Sequence, residues 1–169
     1  LLASDLKSLF PPDYQKMVKS SGSLPLSVLL TGDLNSQNID FALNANSSNY
    51  LSLLNVSQLN GKNTSIKGGL KISGDTLRFS DTGIFANNQG LLYLKGSVND
   101  LYKIQNLDLN ISIPSKISME IPGLQKSKMD MFGEVSLSGA LLNPYLSGNI
   151  EIPIIKIDSM LLNLNDMSI

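Results

Sequence analysis

Between Phe132 and Pro153 the chain reads FGEVSLSGALLNPYLSGNIEIP, and its apolar and polar positions alternate in twos. Val135 and Leu137 alternate with Glu134, Ser136 and Ser138. Gly139 ends that run, and a corner at Leu142-Asn143-Pro144 leads through Leu146 to Gly148. Ile150 and Ile152 then alternate with Asn149 and Glu151. A period of two marks a strand with one oily and one wet face. The rest of the chain repeats this form.

From Gly22 to Gly32, Leu24, Leu26, Val28 and Leu30 alternate with Ser23, Pro25, Ser27 and Leu29, and Pro25 marks an edge strand or a strand start. Ile39, Phe41, Leu43 and Ala45 make a second strand. Ile66, Gly68, Leu70 and Ile72 make a third, turning at Gly74-Asp75 into Leu77 and Phe79. Asp81-Thr82-Gly83 predicts a further turn before Ile84, Phe85 and Ala86, and residues 88–90 predict another. Leu92, Leu94, Gly96 and Val98 follow. Leu107, Leu109, Ile111 and Ile113 make a strand ending at Pro114. Ile117, Met119 and Ile121 make a short one ending at Pro122-Gly123. Residues 124–131 read as a linker, and 154–164 add one or two strands. The count is about ten to twelve strands with no βαβ rhythm, an antiparallel meander.

The period differs only at the start. Leu2, Leu6, Leu9 and Phe10 fit one side of a helix stopped by Pro11 and Pro12. Asp13 caps a second short helix to about Lys19, with Tyr14, Met17 and Val18 on its apolar side. Both are expected to cover one end or face of the sheet. Tyr50 to Leu54 reads as one helical turn or an irregular crossing. The expected organisation is therefore a single fragment, with short helices over 1–20 and antiparallel sheet over 22–169.

Composition narrows the chemistry. The 169 residues contain no cysteine, histidine or tryptophan. Without Cys and His there is no thiolate metal site, no usual triad and no imidazole base. The formal net charge of −1 argues against a nucleic-acid partner, which wants a basic face. Asp5, Asp13, Asp33, Asp40, Asp75, Asp81, Asp100 and Asp108 stand singly, mostly at turns, and Glu120, Glu134 and Glu151 take solvent positions on strands. No EF-hand spacing or phosphate loop occurs. The expectation is a non-enzyme with no cofactor and no metal. No run approaches the roughly 18 apolar residues of a membrane-spanning helix. The chain begins at Leu1 and stops at Ile169 inside an apolar run, which reads as a piece of something larger.

The unit SGALLNPYLSGNIEI resembles repeats of the AsmA-like family of bacterial envelope proteins. LFPPDYQKMVKSSGSLPLSVLLTGDL has the same character, a short helix with proline leading into a strand that opens near Gly22 and closes on Gly32. SIKGGLKISGDTLRF and GLLYLKGSV fit the same style. The resemblance is one of pattern and runs from Leu9 onward. It implies a long, curved antiparallel sheet, open or partly closed, of the bridge-like lipid-transfer type. It also implies a periplasmic location in a Gram-negative bacterium, tethered to the inner membrane by an anchor outside this fragment. The implied role is phospholipid transport or outer-membrane biogenesis.

An apolar sheet face needs a cover. A second layer would supply it, making a structural or adhesive β-repeat module with a closed dry core. A phospholipid or other acyl lipid would supply it equally, since burying an acyl chain gains about 0.8 kcal/mol per methylene. The lipid-facing candidates are Leu26, Val28, Leu30, Ile39, Phe41, Leu43, Leu70, Ile72, Leu92, Leu94, Leu107, Leu109, Ile111, Val135, Leu137, Ile150 and Ile152.

Overall fold

The computed structural model describes residues 15, 18–20, 22–45, 51–53, 56, 63–121, 126–157 and 160–163. In chain order the strands are β1 (Val18–Ser20), β2 (Leu26–Gly32), β3 (Ser36–Ala45), β4 (Leu51–Leu53), β5 (Thr64–Ser73) and β6 (Thr76–Ala86). They continue as β7 (Gln89–Asn99), β8 (Asn106–Met119), β9 (Ser127–Ala140), β10 (Tyr145–Ile157) and β11 (Met160–Asn163). Nine of them form one antiparallel sheet in the order β11-β10-β9-β8-β7-β6-β5-β3-β2, and β1 pairs with β4 in a separate ribbon. The large sheet is an open meander about 38 Å across at 4.8 Å per strand. The expected mainly β, antiparallel, curved and unclosed architecture is what the chain adopts.

Turn chemistry places most reversals. Asn87 and Asn88 both have positive φ, 49° and 66°, the backbone of a two-residue hairpin whose twist matches the strands. Pro25 directly precedes edge strand β2, where its missing N–H costs no ladder bond.

Three expected strand ends are not ends. The turn expected at Asp81-Thr82-Gly83 is a bulge inside β6, with Asp81 at φ 48° and the register shifting between Phe79 and Thr82. β8 runs through Pro114, because the pairing with β9 skips from Ile113 to Ile117 and leaves the proline outside the ladder. β10 likewise passes Pro153 where pairing skips from Glu151 to Ile154. In each case the neighbouring strands stay paired on both sides of the irregularity, so the chain bends instead of reversing. Further shifts lie between Lys67 and Gly69 in β5 and at Ile84/Phe85 against β7. Bulges in successive strands add local twist and curve the sheet.

Other expectations fall differently. The helix over 1–10 lies outside the described residues. Of the second, expected to reach Lys19, Gln15 is helical as expected, whereas Val18–Ser20 are β1. Residues 51–53 are β4, paired with β1, instead of a helical turn. Part of the expected linker 124–131 is strand, since β9 begins at Ser127.

The core lies at one end of the sheet. Leu43, Ala45, Ala86, Leu91, Ile113 and Ile117 are buried there, with Leu24 and Val56 against them from outside the strands. Val56 forms a bridge to Met119, so the chain between β3 and β5 reaches β8. Leu24 is fully buried. Leu24→Ala is expected to cost about 3 kcal/mol, the transfer and cavity terms of a buried leucine, read as a lowered urea midpoint with an unchanged m-value.

Candidate functional site

Register decides which side chains share a face, since residues directly opposite across a ladder point the same way. From edge to edge the pairings run Leu30–Ile39–Leu70–Phe79–Gly96–Leu109–Leu137–Leu146. Beside this row lies Thr82–Leu94–Ile111–Val135–Gly148, continued towards β2 by Val28–Phe41–Gly68. A third row joins Leu26, Leu43, Ile66, Ile84 and Leu92. Gln37, Ile72, Leu77, Val98 and Leu107 form a fourth. The face is thus aliphatic across eight strands, with two phenylalanines. All the lipid-facing candidates lie on it except Ile152, which sits inside the β10 irregularity where no pairing fixes its side.

The candidates divide by exposure. Leu43 and Leu107 are buried, and Leu43 belongs to the packed core, so neither is open to a guest. Ile39, Phe41, Leu70, Ile72, Leu92, Leu94, Leu109, Ile111, Val135, Leu137, Ile150 and Ile152 are half-buried. Leu26, Val28 and Leu30 on the edge strand are exposed. A face sealed under a second layer would bury the central rows completely; here neither Leu70, Leu109 nor Leu137 reaches that state. Ile66, Leu77, Phe79, Ile84, Val98 and Leu146 stand on the same face and were not among the candidates. Alternation alone would have found Ile66, Leu77 and Val98. Phe79 and Ile84, separated by five positions, share a face only because of the β6 bulge.

The opposite face is largely Ser, Asn, Lys and Asp. It has a dent of about 580 Å³ where Ala42 and Gly69 carry little side chain, walled by Leu29, Asp40, Phe85 and Tyr93. Phe85 and Tyr93 meet edge to face at 5.6 Å, and Lys67 Nζ stands 4.4 Å over the Phe85 ring, a cation–π contact. An ion pair joins Lys116 to Asp130 at 3.1 Å, and Ser118 also donates to Asp130; with Lys116 more than half exposed, that pair adds little stability.

No family model, curated protein or solved structure matches this chain.

Among the described residues Asp40 and Asp81 both line the dent on the polar face, and the other carboxylates are spread apart. Asp75 is at a hairpin tip and Asp81 six residues along β6, about 20 Å away. Glu134 and Glu151 are exposed positions on β9 and β10. Among the described residues no three potential metal ligands cluster, and no helix is long and apolar enough to cross a membrane.

Edge strand β2 has no strand on its outer side among the described residues, and it exposes Leu26, Val28, Leu29 and Leu30 on its two faces. It carries no charge to discourage pairing with another strand. The purified chain is expected to self-associate with rising concentration, and Val28→Lys with Leu29→Lys to suppress this by light scattering. Equal scattering from wild type and variant would show that this edge is not the sticky one.

Proposed function

We propose that this chain is a non-enzymatic segment of an AsmA-like envelope protein, whose apolar sheet face shields lipid acyl chains. Within this reading it works in the periplasm of a Gram-negative bacterium. An anchor outside this fragment tethers it to the inner membrane, and it serves phospholipid transport or outer-membrane biogenesis. One observation carries the reading: the aliphatic row from Leu30 to Leu146 spans eight strands and stays half-open to solvent. Such a surface is costly in water and cheap under an acyl chain.

The chemistry fits a guest recognised by its tails. Aliphatic side chains give non-directional burial, and a chain of about sixteen carbons is roughly as long as one strand. Each methylene covered gains about 0.8 kcal/mol before the cost of ordering the tail. No headgroup-specific constellation is needed on this face, and a row without a barrier lets a tail occupy neighbouring positions with similar energy.

The test is organic extraction of the natively purified chain followed by mass spectrometry. Phospholipid is expected at near-stoichiometric yield, and delipidated protein is expected to take up acyl lipid again from vesicles. A chain that carries none and takes up none is the structural or adhesive module, and the proposal fails.

A further inference from the structure

Four hairpin connections lie at the end of the sheet away from the core: residues 33–35, 74–75, 100–105 and 141–144. They are joined to one another by backbone hydrogen bonds. The Gly74 N–H donates to the Asn35 carbonyl at 3.4 Å, Leu101 N–H to the Asp75 carbonyl at 2.9 Å, and Leu141 N–H to the Gln105 carbonyl at 2.9 Å. Two of the loops are also pinned internally. The Asp33 carboxylate accepts from the N–H groups of Asn35 and Ser36, and Asp100 accepts from the Asn106 side chain. The result is a fixed ridge roughly 30 Å long, at two strand spacings per hairpin.

Three of the four tips carry large apolar side chains into solvent. Leu34 is 96% exposed, Tyr102 82%, Ile104 70%, Leu142 92% and Tyr145 76%. Turn geometry does not ask for them; it favours Gly, Asn, Asp, Ser and Pro. Leu34 is set apart from the others by the β5–β6 tip, which carries no large apolar side chain, and Asp33, Asn35, Asp100, Lys103 and Asn143 are interleaved with them along the chain. A protein partner recognises a contiguous, fully desolvated centre. Separate apolar points held in a row suit a bilayer interface, into which each dips independently, and tyrosine is at home at that depth.

A second observation lies about 10 Å back from the β5–β6 tip, three residues along each strand. Lys71 and Arg78 face each other directly across β5 and β6, both exposed, with Ser73 and Thr76 lining the same dent. Like charges opposite one another repel. Among the described residues neither makes an ion pair. A phosphate between them relieves the repulsion, and Arg and Ser/Thr are suited to its oxygens. The headgroup layer is about 5–8 Å thick on each side of a bilayer, so tips in the interface place long Lys and Arg side chains near the phosphates.

We infer that this end of the sheet docks on a phospholipid bilayer, with Leu34, Tyr102, Ile104, Leu142 and Tyr145 inserted and Lys71 and Arg78 on lipid phosphate. The surface is distinct from the apolar face, so its occupancy does not depend on that face carrying lipid. The test uses the purified chain with sonicated dioleoylphosphatidylcholine vesicles. The chain contains no tryptophan, which makes Leu142→Trp a clean reporter. Wild type is expected to co-sediment, and the emission of the introduced indole is expected to shift to the blue with vesicles. Leu34→Ser, Ile104→Ser and Leu142→Ser together are expected to weaken partitioning at least tenfold while Tm stays unchanged. Lys71→Ala with Arg78→Ala is expected to weaken it severalfold. The inference is overturned if wild type stays in the supernatant or the indole emission does not shift. It is equally overturned if the triple variant binds as wild type does, or if the tips matter only for dimerisation.

Discussion

Gly96→Ala is expected to destabilise the chain by at least about 3 kcal/mol, a large share of the roughly 5–15 kcal/mol that holds a domain of ordinary stability together. Gly96 has φ 118°, a conformation essentially closed to side chains and worth about 1–3 kcal/mol of strain. The space is also taken. An added Cβ would lie 1.9 Å from the Asp108 carbonyl oxygen and 2.9 Å from Leu109 Cα, and both are backbone atoms of the adjacent strand that cannot step aside alone. Relief requires β7 and β8 to separate where Phe79, Gly96 and Leu109 stand in line. Gly74 is the internal control. It too has positive φ, 59°, but nothing lies within 4 Å of its added Cβ. Gly74→Ala should therefore cost only about 1 kcal/mol, the left-handed penalty by itself. Urea melts of the two variants separate close approach from backbone strain. Equal midpoints would mean that β7 and β8 do not meet at Gly96 as described.

Leu70→Asn, Leu109→Asn and Leu137→Asn combined are expected to lower bound phospholipid at least tenfold while the sheet still folds. All three lie in the longest aliphatic row and are only half-buried. Their own packing loss is thus smaller than that of a core leucine, whereas an acyl chain laid along the row would meet three amides. Each desolvated amide without a partner costs a guest about 1–3 kcal/mol. Leu43→Ala gives the opposite signature. Leu43 is 5% exposed within the packed end of the sheet, so its truncation should cost about 2–4 kcal/mol. The lipid carried per folded molecule should stay the same. Thermal melts beside lipid quantification distinguish the two. Lipid loss in proportion to unfolding in both variants would mean that the row has no special role.

Much of this was readable in the chain. Alternation over Ile39–Ala45 and Ile66–Ile72 gave strands of the right place and face, and Pro25 marked the edge strand correctly. Asn and Gly signals located the hairpins to within a residue or two. Reading failed at Asp81, Pro114 and Pro153. Each is a residue that breaks a ladder, and a broken ladder looks the same in sequence whether the chain turns back or bulges onward. What separates the outcomes is whether the next strand is there to resume pairing, a non-local fact. What the hairpin tips share was not legible, because Leu142 reads only as part of a corner and its likeness to Leu34, Tyr102 and Ile104 shows only once their loops stand along one end of the sheet.

Residue order alone therefore specifies a β-rich chain with one aliphatic side per strand and no imidazole or thiol to do chemistry. Those properties follow from side-chain period and residue type, which are local. It takes the folded sheet to join these sides into rows across eight strands, to curve them through bulges, and to pack Leu24 and Val56 on one end while the central rows stay half-open. Those outcomes depend on register, and register is set by contacts between residues tens of positions apart, which no short window of sequence contains.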